Sequence, residues 1–240
     1  VFGSTLVGAF AEEVVVTATS LTRIPEGVEA RHAAAFGVAH RTAYHALRSF
    51  ARVRSGDELI VLGAGGGVGL AAVQLGVVLG ATVTAVASSA AKLDVAKANG
   101  ATRLVDHKAG DLRAALKGLL PDGADAVIDP VGGTLSEAAL RSLHYGGRFV
   151  TVGFAAGEIP RIPLNLVLLK GISVTGFQMR DFGTHQRDEL ERNEAELMEL
   201  LASGRVAPHI DASFPLADAA AALRYVADGH AVGKIVLEVS

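Results

Sequence analysis

The 240-residue chain contains no cysteine. This absence excludes disulfide bonds, thiolate zinc ligands and a cysteine nucleophile together, because each of them needs a thiol. For the same reason, cysteine usage places the protein neither inside nor outside a cell. The first residues lack the charged, apolar and small-residue parts of a secretory signal peptide, and we expect a cytoplasmic protein.

Blocks of like charge are also missing. The formal net charge is −3, and the 22 lysines and arginines are spread along the chain. The sequence therefore indicates neither a basic stripe for nucleic acid nor a basic face for a membrane surface. We expect no nucleic-acid partner and no membrane partner.

One stretch, from Leu59 to Ala91, has no charged residue at all. Its hydropathy alone would fit a membrane span. A glycine cluster, Gln74 and several hydroxyl side chains divide it into strand, turn, helix and strand. Because a parallel strand covered on both faces is continuously apolar, we predict a buried sheet here.

The glycine cluster is the most informative part of this stretch. The sequence Gly63-Ala-Gly-Gly-Gly-Val-Gly69 follows an apolar strand and precedes an apolar helix. Glycines allow a close approach of the backbone, and the free N–H groups and dipole of a helix N-terminus favour a diphosphate. The spacing Ala64-x-Gly66-x-x-Gly69 matches the dinucleotide pattern with alanine in the first place. The alternative is an ordinary tight turn.

Strands and helices alternate regularly beyond this turn. We predict strands at 82–87, 103–106, 125–129, 147–152 and 172–176, and helices at 90–99, 111–119 and 134–143. Thr134 and Glu137 have the spacing of a capping box at the start of the third helix. Such alternation is typical of a doubly wound parallel sheet, the Rossmann architecture.

The two ends of the chain differ from this α/β region. We predict short strands at 10–16 and 21–25, then at the far end a helix at 189–203, a strand at 210–214, a helix at 216–228 and a strand at 234–239. We interpret both ends as parts of a second domain that the Rossmann unit interrupts.

The choice of nucleotide depends on the end of the second strand. The dinucleotide pattern carries an acid about 20 residues after the glycines, which binds the ribose 2′-hydroxyl of NAD. Here the window 83–90 holds no acid; Ser88 and Ser89 end the strand, and Lys92 follows. These groups would receive a 2′-phosphate that a carboxylate would repel, so the sequence favours NADPH. The alternative is that Ser89 only caps the next helix and Lys92 is a solvated surface charge.

Several segments together carry a family resemblance. They are Ala33-Ala-Ala-Phe-Gly-Val-Ala-His-Arg-Thr-Ala-Tyr-His-Ala-Leu47, the segments 54–61 and 63–75, Asn99-Gly-Ala101, Asp129-Pro-Val-Gly-Gly133, the segment 147–153 and Gly233-Lys-Ile-Val-Leu237. Over essentially its whole length the chain resembles the zinc-independent medium-chain dehydrogenases/reductases, and most of all the quinone oxidoreductase branch.

The resemblance implies a set of cofactor-binding residues. Those expected along the pyrophosphate are Ala64, Gly65, Gly66, Gly67 and Val68, and those expected at the 2′-phosphate are Ser88, Ser89 and Lys92. His107 stands where the family often has tyrosine, and it would stack on adenine or meet the phosphate. The alternative for His107 is an ordinary polar residue at a strand end.

Further residues would border the nicotinamide. Thr42 would lie near the ring, although a helix N-cap is an equally natural role for it. Gly153 and the pair Val131 and Phe154 would lie in loops at the carboxyl ends of strands, with the pair flanking the nicotinamide ribose and ring. Phe177 and Met179 are candidates for the substrate wall, with plain core packing as the alternative.

The resemblance also implies a domain organisation. Val1 corresponds to a point well inside the family's N-terminal catalytic domain, so we expect a Rossmann sheet inserted into remnants of a GroES-like, β-rich domain. The expected parts are a remnant at 1–40, the NADPH-binding domain at 41–176 and the C-terminal part of the catalytic domain at 177–240. The asparagine and tyrosine that the family uses near substrate would lie outside this sequence, and we assign no catalytic acid.

Zinc and hydrolase chemistry lack their residues. Related zinc enzymes have a ligand cysteine four residues before the position of Thr42, and this chain has Val38 there. The eight histidines form no ligand cluster, and we expect no metal. No G-x-S-x-G nucleophile elbow occurs either.

The sequence therefore predicts an NADPH-dependent oxidoreductase that transfers hydride, without zinc, to a quinone or an α,β-unsaturated carbonyl. Two alternatives remain open: an enoyl-thioester reductase of the same superfamily, and a non-catalytic NADPH-binding module. A homodimer through edge pairing of the strand at 172–176 is expected from the resemblance, because its apolar residues would need cover at a sheet edge.

Overall fold

The computed structural model describes residues 1–239. The chain begins with a small antiparallel pair of strands, β1 (Phe2–Gly3) and β2 (Leu21–Thr22), and continues into a long helix, α1 (Ala30–His45). A π-helical turn, Ala46–Phe50, extends this helix. The strand predicted at 10–16 is wrong, and only two residues of the one predicted at 21–25 pair. A strand needs a hydrogen-bonded neighbour, and no described residue offers one to 10–16.

The centre of the molecule is a six-stranded, fully parallel sheet. Its strands are β3 (Glu58–Leu62), β4 (Thr82–Ala87), β5 (Arg103–Asp106), β6 (Ala124–Asp129), β7 (Leu143–Thr151) and β8 (Ser173–Gly176). Their order is β5-β4-β3-β6-β7-β8, so the direction of winding reverses between β3 and β6. The predicted doubly wound sheet is confirmed, and its switch point lies where such sheets bind nucleotides.

Helices connect the strands of the sheet. They are α2 (Gly67–Val78), α3 (Ala90–Ala98), α4 (Leu112–Leu119), α5 (Thr134–Arg141) and α6 (Leu164–Lys170). The uncharged stretch 59–91 is thus strand, turn, helix and strand, as predicted. Among the described residues, no helix combines the length and the apolar character needed to cross a bilayer.

The capping box predicted at the start of α5 is wrong. Gly133 is the N-cap, with φ at +61°, and Thr134 is the first helical residue without a capping bond. Glu137 forms an ion pair with Arg141 one turn later, at 2.6 Å. The helix starts from Gly133 because the loop before α5 is tight: the Gly133 N–H donates to the Glu158 carbonyl at 3.0 Å.

The C-terminal part packs against the beginning of the chain. It contains α7 (Met179–His185), α8 (Arg187–Ala202), β9 (Ile210–Pro215), α9 (Ala219–Ala227) and β10 (Lys234–Glu238). The strands β9 and β10 pair in parallel, and both β10 and α8 contact α1. Just before β10, the Gly233 N–H donates to the Gly65 carbonyl at 2.8 Å. This bond brings the C-terminal part onto the glycine turn.

Two apolar cores cover the two faces of the sheet. Leu59 and Val61 belong to the core that includes α1, α2 and α8, whereas Ile60 and Leu62 belong to the core that includes α4 and α5. Alternate residues of β3 therefore face opposite cores, as the pleat of a strand requires. Each fully buried side chain of this size contributes about 1.5–3 kcal/mol relative to an exposed one, so the four buried side chains of β3 anchor the turn that follows it.

Candidate cofactor-binding site

The glycine turn joins β3 to the start of α2. Gly63 adopts φ +62°, and the buried Ala64 donates its N–H to the Val86 carbonyl at 3.0 Å. The first helical hydrogen bond runs from Leu70 to the Gly66 carbonyl at 2.8 Å. Within residues 1–239, no side chain caps this helix end. The N–H groups at the start of the helix are therefore left for an external acceptor, and an anion is the ligand that they favour.

Tight packing explains why this turn contains glycine. A Cβ on Gly69 would overlap the Gly63 carbonyl, and one on Gly63 would lie 2.6 Å from Val131 Cγ2. A Cβ on Gly65 would lie 2.5 Å from Lys92 Cβ. Gly66 is different, because it is exposed and its nearest neighbour would be 3.5 Å away. The turn is thus closed on its protein side and open at Gly66.

Two lysines approach the turn from different elements. The Lys92 side chain crosses Gly65, and its Nζ donates to the Gly229 carbonyl at 2.9 Å. The Lys234 methylenes cover Gly67, where a Cβ would lie 2.7 Å from Lys234 Cδ. Burial lowers the pKa of Lys234, and none of the described carboxylates pairs with it. An unpaired ammonium group beside a helix N-terminus is a second feature that favours an anion.

Residues at the end of β4 lie at the same edge of the sheet as the glycine turn. Ser89 is the N-cap of α3, and its hydroxyl oxygen accepts from the backbone N–H of Lys92 at 3.4 Å. The capping role predicted for Ser89 is therefore confirmed. Ser88 is half-buried beside it. The backbone N–H of His107 donates to the Ala87 carbonyl at 3.1 Å, which places His107 next to the end of β4. Lys92 Nζ is bonded to the Gly229 carbonyl at an exposed position, so the choice between a 2′-phosphate ligand and a solvated surface charge stays a prediction.

The loop after β6 forms the other side of the turn. The buried Asp129 carboxylate accepts from the N–H groups of Val131 and Gly132, each at 2.8 Å, and from Ser136 Oγ at 2.6 Å. Three donors hold this carboxylate, so its role is to shape the loop. A Cβ on Gly132 would lie 2.9 Å from the Phe154 ring. The structure therefore brings Val131, Gly153 and Phe154 together beside the glycine turn.

Thr42 lies inside α1, three residues before the end of the helix. Its carbonyl accepts from the Ala46 N–H, and its side chain is half-buried. The alternative role as a helix N-cap is therefore wrong, because the helix begins twelve residues earlier, at Ala30.

Phe177 and Met179 are both in contact with the core. Phe177 is buried, with its ring centroid 5.2 Å from Phe50 and 5.8 Å from Phe182. It also lines a cleft of about 670 Å³ that Gly153 and Phe154 border. Met179 is half-buried and packs against the same core. Phe177 thus combines core packing with a place on a cleft wall.

A buried histidine, His40, lies where helix α1 contacts helix α2. His40 Nε2 contacts Gln74 Oε1 at 3.2 Å, and the Gln74 amide donates to the Ala207 carbonyl at 2.8 Å. Because the Gln74 NH₂ group is used as a donor, its oxygen faces His40, which assigns the proton to Nε2. Burial is the main cause that lowers the pKa of His40 to about 4, so the ring is neutral near pH 7.

The residues present do not fit a catalytic zinc. Val38 stands at the expected ligand position, and its side chain is exposed. Among residues 1–239, no three histidine, aspartate or glutamate side chains gather as metal ligands, and the sequence has no cysteine. The described residues therefore do not supply the ligand set of a catalytic zinc.

Comparisons with known proteins agree with this geometry. A family model described as zinc-binding dehydrogenase matches residues 67–202, which is more than half of the chain. Quinone oxidoreductase-like protein 2 from Bos taurus is 36% identical over 95% of this chain and 66% of its own length. The quinone oxidoreductase from Thermus thermophilus, whose structure is described with its NADPH complex, has a TM-score of 0.86 at 33% identity, covering 98% of this chain and 75% of that one.

A further solved neighbour is described as an NAD-dependent alcohol dehydrogenase. It is 29% identical with a TM-score of 0.85, and the match covers 97% of this chain and 66% of that one. The neighbours thus share a nicotinamide-cofactor fold but differ in the nucleotide that their descriptions name. The choice between NADPH and NADH must come from the residues of this chain.

These matches define the class of protein. The chain belongs to the medium-chain dehydrogenase/reductase family, as its motifs predict. Within that family, its similar proteins include several quinone oxidoreductase-like proteins, from Bos taurus and Mus musculus among others. The chain spans about two thirds of the length of these curated relatives.

Proposed function

We propose that this chain is an oxidoreductase that binds NADPH and transfers its hydride to a quinone or an α,β-unsaturated carbonyl. The observation that carries the proposal is the open helix end at Gly66, with Lys92 on one side and Lys234 on the other. The free N–H groups of this helix end and the two lysine side chains beside the turn favour a dinucleotide diphosphate there.

The preference for NADPH over NADH rests on the end of β4. Ser88, Ser89 and Lys92 lie where a carboxylate would select the 2′-hydroxyl of NAD. Lys92 uses one of its three N–H donors on Gly229, which leaves two for a 2′-phosphate. The neighbouring strand β5 ends at Asp106, whose carboxylate accepts from the backbone N–H of Lys108 in its own loop at 2.8 Å.

The remaining residues would orient the nicotinamide and exclude water. When bound, the cofactor supplies the hydride, and the protein supplies position and shelter. Val131 and Phe154 lie together beside the turn and would flank the ring, with Thr42 approaching from α1. The acceptor would take the hydride on carbon and a proton from solvent, and we assign no protein group as the proton donor.

The domain division at 1–40, 41–176 and 177–240 is part of the same proposal. The C-terminal segment reaches the cofactor site through Gly233 and Lys234, so both the sheet and the second domain would contribute to it. The acceptor would enter between them, at the cleft that Phe154 and Phe177 line.

Turnover tests the proposal. Loss of NADPH absorbance is followed with 1,4-benzoquinone, with an enone and with a crotonyl thioester as acceptors. Reduction of the quinone or the enone supports the proposal, and reduction of the thioester alone would favour an enoyl-thioester reductase. Tight NADPH binding with no turnover of any acceptor would favour a non-catalytic NADPH-binding module and contradict the proposal for this chain.

A further inference from the structure

A segment of the C-terminal part contacts both the glycine turn and the lysine beside it. The segment joins α9 to β10, beginning at Gly229 and ending at Gly233, and we call it the clasp. At its end, the Gly233 N–H donates to the Gly65 carbonyl at 2.8 Å, and Gly233 forms a parallel bridge with Gly66. At its start, the Gly229 carbonyl accepts from Lys92 Nζ at 2.9 Å. The clasp is therefore bonded to the turn and, separately, to Lys92.

The Lys92 side chain is fixed at both of its ends. A Cβ built on Gly65 would lie 2.5 Å from Lys92 Cβ, 2.6 Å from Cγ and 2.7 Å from Cδ, so three carbons of the stem pack on the turn. The ammonium group at the other end is held by the Gly229 carbonyl. Among residues 1–239, no carboxylate forms an ion pair with Lys92. Because the carbonyl is neutral, this bond fixes the position of the charge without neutralising it.

A fixed ammonium group binds an anion more tightly than a mobile one. The lysine stem is flexible, and a ligand that immobilises it must offset the entropy that the side chain loses. Where the protein has already ordered the side chain, that cost is met on folding and not on binding. Lys92 is the charged member of the group proposed for the 2′-phosphate, so its position bears directly on the choice between NADPH and NADH.

The position of the Gly229 carbonyl depends on how α9 ends. Gly229 has φ +75°, and its N–H donates to the Val226 carbonyl at 3.0 Å. The N–H of the next residue, His230, donates to the Tyr225 carbonyl at 3.2 Å. These two bonds form a Schellman motif, which is a common helix end and does not by itself indicate a site. What this helix end adds is a carbonyl directed at Lys92 Nζ.

We propose that Gly229 is a positioning residue for nucleotide selection and that it acts through Lys92. Its carbonyl takes one of the three N–H donors of the ammonium group and holds the other two where they would bond the 2′-phosphate. The C-terminal part of the chain thus takes part in selecting NADPH, together with the end of β4. The inference rests on the proposed function for the identity of the nucleotide, but it does not require that the chain reduce any acceptor.

Proline at position 229 tests the proposal, because its ring fixes φ near about −65° and so excludes the conformation that directs the carbonyl at Lys92. Isothermal titration of the wild-type chain and of Gly229→Pro gives the ratio of the dissociation constants for NADH and NADPH. We expect Gly229→Pro to lower this ratio about fivefold, the effect of one lysine side chain that must be immobilised on binding. The ratio is the readout because a damaged turn would weaken both nucleotides alike. An unchanged ratio would overturn the proposal.

The end of α8 supplies a matched control. Gly204 has φ +68° and its N–H donates to the Leu201 carbonyl at 3.1 Å. Like Gly229, it is exposed, and a Cβ there would meet nothing within 4 Å. Gly204→Pro should keep the wild-type ratio, and so should Gly229→Asn, because asparagine tolerates the left-handed conformation. An equal loss in Gly204→Pro and Gly229→Pro would reduce the effect to general destabilisation and contradict the proposal.

A double-mutant cycle shows whether Gly229 acts through Lys92. Lys92→Met removes the ammonium group, so adding Gly229→Pro to it should cause no further loss of nucleotide preference. If the two losses multiply in the double variant, Gly229 acts independently of Lys92 and the proposal is wrong.

The wild-type titration separates this inference from the proposed function. If NADPH is preferred and the variants behave as expected, the inference stands even where no acceptor is reduced, and only the proposed turnover fails. If Gly229→Pro keeps the full wild-type preference for NADPH, the inference fails alone. If the wild-type chain does not distinguish NADPH from NADH, the inference and the proposed cofactor fail together.

Discussion

The Lys92 side chain lies directly across Gly65, with no room between them for a Cβ. The same lysine bonds to the carbonyl of Gly229, 137 residues further along the chain. One side chain therefore covers the glycine turn, borders the proposed 2′-phosphate position and fastens the C-terminal segment to the sheet. This arrangement links cofactor selection to the packing of two parts of the molecule.

Replacing Gly65 by alanine should damage both stability and cofactor binding. The new Cβ would lie 2.5 Å from Lys92 Cβ, so the lysine must move. We expect a loss of about 1–3 kcal/mol in the free energy of unfolding, as for other overpacked sites, measured by urea denaturation. Gly118→Ala is the control, since Gly118 is an exposed position of α4 where a Cβ meets nothing within 4 Å, and alanine should stabilise the helix by about 1 kcal/mol. Full stability of Gly65→Ala would contradict the packing described here.

Asp129 should be required for the loop beside the turn. In Asp129→Ala, the buried N–H of Gly132 and the Ser136 hydroxyl lose their acceptor. We expect a cost of about 2–5 kcal/mol in unfolding free energy and weaker NADPH binding. Asp129→Asn keeps one acceptor oxygen and should cost clearly less. If both variants lose the same stability, the charge rather than the hydrogen bonds holds the loop.

His40 should make the fold sensitive to acid. Its pKa is lowered from 6.5 to about 4 in the folded chain, chiefly by burial, so the unfolded chain binds the proton first as pH falls. Stability is therefore lost as pH drops below the unfolded value, by about 2 kcal/mol between roughly pH 7 and pH 5. His40→Leu should remove this part of the pH dependence in urea titrations at both pH values, with His32→Leu as the matched control. An unchanged pH dependence in His40→Leu would contradict the assignment.

The edge strand β8 should mediate a homodimer. All four of its residues are exposed at the end of the sheet, Val174 among them, and an uncovered edge favours pairing with another strand. We expect a dimer mass by light scattering after gel filtration, and a monomer for Val174→Lys. Val77→Lys changes an equally exposed valine on α2 and should stay dimeric. A monomeric wild-type chain would refute this proposal.

The sequence predicted the sheet well because its signals are local. Buried parallel strands such as β3 are short apolar runs, and the glycine turn follows one of them directly. The capping box at Thr134 failed because a tertiary contact of Gly133 with Glu158 shifts the helix start. A strand at 10–16 failed because its valines find no partner strand among the described residues.

The candidate site was only partly accessible from the sequence. Motif spacing identified the glycine turn. It also identified Ser88, Ser89 and Lys92, because all three follow closely after the same strand, β4. Lys234 belongs to the recognised segment 233–237, but nothing in the pattern shows that its stem covers Gly67.

The most direct test of the account is a titration of the chain with NADPH and with NADH. We expect NADPH to bind at least about tenfold more tightly, the effect of one or more charge-assisted bonds to the 2′-phosphate. Lys92→Met should remove most of this difference, whereas Lys97→Met, an exposed lysine on the same helix, should keep it. Equal binding of the two nucleotides by the wild-type chain, or a preference for NADH, would contradict the account.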